Sequence, residues 1–171
     1  MRAFARAGLH GTTVAAVADE AHISPAYVFK LFPSKERLFV AAVEMCFDEI
    51  VSVLEEAVSG VGDDTAESLL ATWRRAYSRL LEDRTLLMLQ VHAQSVATIP
   101  EIGVALREGL ARLMTFIKTR SGGSDDAVRC FIAHMQLCHL VASADIDEIP
   151  DSWAMILTQD DHPPSNSRLS G

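Results

Sequence analysis

In the stretch "CFIAHMQLCH", Cys130, His134 and Cys138 fall at i, i+4 and i+8, with His139 adjacent. A thiol and an imidazole one helical turn apart can chelate a metal, but a third ligand a further turn along reaches the same ion only with distortion. Cys130 and Cys138 are therefore read as small core residues and His134 as facing a pocket or a partner subunit; no metal ligand and no cofactor is assigned. Tyr27 and Lys30 offer a different chemistry. Spaced three apart on one helical face, a hydroxyl and an ammonium can reach base edges and phosphates. Thr12, Thr13 and Ser24 add hydroxyls suited to phosphate oxygens, and Lys35 adds a cation on the same side. A third set is His92 with Gln90, Gln94 and Ser95 in an otherwise apolar segment; such groups need partners within the protein or on a ligand. No glycine-rich phosphate loop, serine elbow or clustered Cys/His/Asp set occurs, so no catalytic residue is assigned and the chain is not read as an enzyme. The acidic run Asp145, Asp147, Glu148 and Asp151 lacks the regular oxygen spacing, glycine and terminal glutamate of a calcium loop.

The elements that position these residues read as helices. Ser24 is a helix N-cap with Pro25 at the first helical position, where its missing N–H costs nothing. Pro33 stops that helix about two turns later, and Ser34 caps the next. Thr12 or Thr13 starts a helix whose inner face is Val14, Val17, Ala18 and Ala21. Phe39, Val43, Cys46 or Phe47, Ile50, Leu54 and Val58 carry one stripe along a long helix from Ser34 to Gly60. After Gly60 and Gly62, Asp64 and Glu67 form a capping box ahead of the stripe Leu69/Leu70, Trp73, Ala76/Tyr77 and Leu80/Leu81. Residues 86–98 are apolar nearly all round, the pattern of a buried helix. Two further helices cover about 101–120 and 125–142, with Gly103 and Gly109 weakening the first, and a short one lies near 150–158. No hairpin-like alternation occurs, so the expected fold is all-α.

The 171 residues and 49% hydrophobic content suffice for a real core. The net charge of −8 is unevenly spread. Residues 1–37 hold Arg2, Arg6, Lys30, Lys35 and Arg37 against Asp19, Glu20 and Glu36, a basic surplus that places the acidity in the remainder. No apolar run reaches the ~20 residues that cross a bilayer. Three unpaired cysteines and no apolar leader indicate a reduced, cytoplasmic setting without membrane attachment.

"TTVAAVADEAHISPAYVFKLF" reads as helix, tight turn, helix: Ala18 is small at the crossing, Ile23 plugs the turn, and Val28, Phe29 and Phe32 can turn inward. A helix-turn-helix places its second helix in the major groove. The run "FARAGLHGTTVAAVADEAHISPAYVFKLFPSKERLF" resembles the DNA-binding module of the tetracycline-repressor (TetR) family of bacterial transcription regulators. The residues carrying the resemblance are Phe4, Gly8, Thr12, Thr13, Val14, Ile23, Ser24, Phe29, Phe32, Ser34, Lys35 and Glu36. The resemblance implies a homodimer that binds double-stranded operator DNA through recognition helices at residues 24–32 and is released as a repressor when a small-molecule effector binds the C-terminal domain. By position, Ala26, Tyr27 and Lys30 would face bases beside Pro25, and Thr13, Ser24 and Lys35 would hold phosphates. Phe29 replaces a common phosphate-binding tyrosine, Leu31 a common tyrosine or histidine, and His22 a usual glycine whose positive φ would cost a side chain about 1 kcal/mol.

The resemblance divides the chain into a DNA-binding domain at 1–45, a ligand-binding and dimerisation domain at 46–160 and a disordered tail at 161–171. In the second domain Trp73, Tyr77, Met88, His92, Met114, Phe116 and Met135 are pocket-wall candidates as well as simple core, and an apolar effector is expected. The helices at 101–120 and 125–142 are expected to meet their symmetry mates. Relative to the family, about three turns of first helix are missing before Phe4, which points to a start upstream of Met1 or to a shortened head. The alternative reading is a helical small-molecule-binding protein with little DNA binding because its head is truncated.

Overall fold

The computed structural model describes residues 1–59, 65–80 and 83–158. Among these residues the protein is all-α: α1 (Arg2–Gly11), α2 (Val14–Glu20), α3 (Pro25–Leu31), α4 (Lys35–Ala57), α5 (Ala66–Leu80), α6 (Thr85–Ser95), α7 (Pro100–Ser121), α8 (Asp125–Ser143) and α9 (Ser152–Thr158), with a 3-10 turn at Ile146–Glu148. The helix starts follow local chemistry. Side-chain oxygens of Thr13, Ser24, Ser34 and Ser124 each accept the backbone N–H three residues on, pairing a donor that the first turn leaves unpartnered. Phe32, ahead of Pro33, leaves the helical region at φ −127° and ψ 122°. Gly122 closes α7 in the left-handed region with its N–H on the Lys118 carbonyl. At α5 the observed cap is Thr65, whose hydroxyl accepts from Ser68 N–H at 3.2 Å. Asp64, Gly60, Gly62, Leu81 and the tail at 161–171 lie outside the described residues.

Among the described residues a main apolar core runs through the molecule, beside a small second cluster of Val141, Ile146 and Ala154. Phe4 and Leu9 of α1 share the main core with Phe39, Val43, Phe47 and Ile50 of α4, Trp73 and Tyr77 of α5, Leu86, Leu89 and Ala93 of α6, and Phe131 and Met135 of α8. Phe4 meets Phe39 edge-on, with ring centroids 5.0 Å apart, a favoured aromatic geometry. The α7 helix lies along α4, and here the two glycines that looked like weaknesses find their reason. A Cβ at Gly109 would stand 2.1 Å from the Phe47 ring, and one at Gly103 would stand 2.4 Å from the Ala97 carbonyl oxygen. Glycine there permits close approach and outweighs its poor helix propensity. Arg112 and Asp48, 3.2 Å apart, add a bridge across the same pair of helices.

Several local expectations change. Ala21 is exposed at the end of α2, where only Ala18 is fully buried and Val14 and Val17 are half-buried. Phe29 does not turn inward: it is 57% exposed, and Val28 alone of α3 is buried. Phe32 is half-buried, and Ile23 closes the turn only partly. The helix at α6 ends at Ser95; as its all-round apolar pattern implies, every residue from Thr85 to Ala93 is buried or half-buried, and only Gln94 and Ser95 at its end are exposed.

Candidate DNA-reading head and buried polar core

Helix α3 is seven residues long, too short to persist alone. Val28 anchors its inner side, while its tip projects: Pro25, Ala26 and Lys30 are exposed and Tyr27 is 48% exposed. Ser24 and Thr13 stand exposed at the starts of α3 and α2, each hydroxyl oxygen accepting a backbone N–H. The hydroxyl protons remain available to donate to a phosphate oxygen. Thr12 differs. It is buried, and its hydroxyl donates to the Ala3 carbonyl at 3.1 Å, tying the α1–α2 turn to α1. Lys35 is half-buried, and its Nζ donates to the Thr12 carbonyl at 3.1 Å. That bond engages one of three ammonium donors and leaves two for another acceptor. His22 sits at φ 55°, the left-handed region where a side chain carries a cost of about 1 kcal/mol.

The head is bolted to the body through α1 and α6. Gly8 interrupts α1 at φ 65° and ψ −173°, and His92 of α6 packs directly over it: an added Cβ would be 2.9 Å from Nδ1. His92 Nε2–H donates to the Ala5 carbonyl at 3.2 Å, in the turn of α1 that leads into the break at Gly8. His92, read from sequence as a pocket candidate, therefore fastens head to body.

The other pocket candidates separate into two groups. Trp73 is fully buried, with its indole N–H donating to the Leu54 carbonyl at 2.7 Å near the end of α4 and its ring against Phe116 and Phe131. Met88 and Phe116 are half-buried, and Met114 is 37% exposed beside a surface groove of about 340 Å³ with Thr115, Lys118 and Val128. Tyr77 and Met135 lie deep in the body. Tyr77 OH is 2.5 Å from His139 Nε2, and Gln90 Nε2 donates to Tyr77 OH at 3.3 Å and to the Leu86 carbonyl at 3.4 Å. Cys46 Sγ–H also donates to Leu86 at 3.4 Å, and burial pushes this thiol up to about 12, helped by Glu49. Burial raises Tyr77 and lowers His139 to about 4, so both are neutral near pH 7. Sequence reasoning gave His139 no role, because its partner lies 62 residues away; its register one turn beyond Met135 on the apolar face of α8 was the available signal.

The sign of the His139 shift sets a pH dependence. The unfolded imidazole takes a proton near pH 6.5, whereas the folded one resists until about 4. Stability is unaffected by this group above about pH 6.5 and falls as pH drops through that window. Urea midpoints across this range are expected to decline for the wild type and to flatten for His139→Phe.

Among the described residues no group of three or more His, Cys, Asp or Glu could hold a metal ion; Cys138 Sγ and His134 Nε2 meet at 3.6 Å, while Cys130 is exposed. No described helix is long and apolar enough to cross a membrane.

Residues 1–42 match the family described as bacterial regulatory proteins, tetR family. No curated protein matches the chain in sequence. Among solved structures, the transcriptional regulator FadR from Bacillus subtilis in complex with stearoyl-CoA is similar with a TM-score of 0.67 and 17% identity over 92% of this chain and 89% of that one. A TetR-like regulator from Rhodococcus sp. RHA1 gives 0.62 and 21% over 93% and 87%. A TetR-family regulator from Mesorhizobium loti gives 0.59 and 22% over 93% and 85%. The head thus carries the TetR-family signature, and the chain has the fold of TetR-family transcriptional regulators.

Proposed function

We propose that this protein is a ligand-responsive DNA-binding transcriptional regulator: a cytoplasmic, homodimeric repressor that a small molecule releases from its operator. The observation that carries this reading is the exposed tip of α3, with Ala26, Tyr27 and Lys30 outward and Val28 inward. That tip stands on a head sharing its core with α4 and α6. Thr13, Ser24 and Lys35 serve phosphates, while Thr12 acts through the turn it holds. The ligand and dimerisation domain comprises residues 46–160, and catalysis has no part in the function. Exposed Leu140 on α8 and Trp153, Met155 and Ile156 on α9 support a partner face that includes α8. An effector acts by favouring one placement of α4 and α6, and it shifts the balance only by its difference in affinity for the two states. Stearoyl-CoA, found with the Bacillus subtilis protein of like fold, is the first effector probe.

The test uses DNA selected by the protein from a random pool. Tyr27→Ala is expected to weaken binding of selected DNA about tenfold and to leave random DNA unchanged. Lys35→Ala is expected to weaken both and to lower the salt slope by about one. Equal binding by wild type and both variants sinks these roles. A wild-type protein with no salt-sensitive DNA affinity favours the helical carrier instead.

A further inference from the structure

The Tyr77–Gln90–His139 cluster has one unanswered atom. His139 Nδ1 is buried and has no hydrogen-bond partner, and the residue as a whole is 3% exposed. Its neighbours determine which nitrogen carries the proton. The Leu86 carbonyl orients the Gln90 amide so that its NH2 group faces Tyr77. Tyr77 oxygen accepts from Gln90. Were it also to accept from His139 Nε2–H, both its own proton and Nδ1 would lack partners, so the arrangement with one unmet group has Tyr77 donating to Nε2. A neutral imidazole has a single N–H, which therefore sits on Nδ1 and points at no acceptor. Leaving such a donor unmet in an apolar core costs about 1–3 kcal/mol.

A water is a poor remedy, because a buried water needs two to four polar partners. Gln90 and Tyr77 are already engaged with each other, with Leu86 and with His139. On α8, Met135 one turn back and Cys138 beside it are both buried in the apolar core. An oxygen that needs one donor and brings its own apolar surface suits the place better. A carboxylate does not suit it, since a neutral imidazole offers no compensating charge.

We infer that His139 Nδ1–H is the recognition donor for the uncharged carbonyl oxygen of an apolar effector, an ester, thioester, lactone or ketone, received between α5, α6 and α8. Tyr77 and Gln90 act as positioning residues that fix the tautomer. This inference rests on the effector reading above and names the chemistry which that reading leaves open.

Full-length protein with 15N-labelled histidine is titrated with methyl octanoate and, separately, with decane, which has the same chain length and no acceptor. The expected result is an Nδ1–H tautomer in the free protein and a downfield shift of that proton with the ester only. Binding of the ester is expected to be about tenfold tighter than that of decane, the worth of one buried hydrogen bond. His139→Phe keeps the ring and is expected to abolish the preference. Tyr77→Phe frees the tautomer and is expected to reduce the preference while decane binding holds. Should folding suffer in both variants, the wild-type tautomer and ester shift decide alone. An Nε2–H tautomer, equal affinity for the two probes, or binding of neither overturns the inference. DNA affinity is read on the same samples: ester bound at His139 with DNA binding unchanged upholds the site and sinks the effector reading. DNA release by stearoyl-CoA with His139 unmoved does the reverse.

Discussion

Gly109→Val will lower the stability of the protein by about 3 kcal/mol, at the upper end of overpacking costs. The first added carbon would stand 2.1 Å from the Phe47 ring, and Phe47 is 1% exposed with no room to withdraw. Helix propensity does not offset this, since valine gains only a few tenths of a kcal/mol over glycine. The contact is also the seam between α4 and α7, so the strain falls on the helix that links head and body. Phe47→Leu in the same chain should restore part of the loss, a departure from additivity of 1 kcal/mol or more, as expected for residues in contact. Urea denaturation of the two single variants and the double variant measures the cycle. A valine variant that unfolds with the wild type would show that the helices do not meet at this distance.

Gly8→Ala combines two penalties and is expected to cost about 2–3 kcal/mol. Its φ of 65° with ψ of −173° lies in a region that essentially only glycine occupies, with strain of about 1–3 kcal/mol. The new carbon would also press on His92 Nδ1 from 2.9 Å and strain its bond to the Ala5 carbonyl. The two penalties can be separated. His92→Ala in the Gly8→Ala background removes the clash and leaves the backbone strain, so part of the loss should return. Thermal melts read the stability, and DNA affinity measured well below the melt reads whether the head still sits in place. Full recovery in the double variant would assign the whole effect to His92; no recovery would assign it to the backbone.

These residues also mark how far the sequence could be read. Helix starts and stops were legible because they are local: a hydroxyl at Thr13, Ser24 or Ser34 and a proline at 25 or 33 act on their immediate neighbours. The helix stripes were legible because period sets which side faces inward, and the all-α class followed. Periodicity names a face but not the partner across it. Gly103 and Gly109 looked like defects until α4 and the Ala97 turn were beside them. Thr12 was read with the exposed hydroxyls, since nothing near it in the chain announces the Ala3 carbonyl. Phe29 was allowed an inward turn that so short a helix could not grant after Val28 had filled the single inner position. His92 and His139 stand in similar apolar surroundings, and only their long-range partners, Ala5 and Tyr77, separate a fastening from a buried donor.

Because Phe4 and Leu9 are buried in common with Leu86, Leu89 and Ala93, the first helix is not an interchangeable cartridge. A chimera joined within α4 would carry a foreign α1 onto a mismatched α6 and would expose or crowd both. Designers who want to give this body a new DNA address would do better to rewrite the outward side chains of α3 alone, or to transplant α1 and α6 as a matched pair.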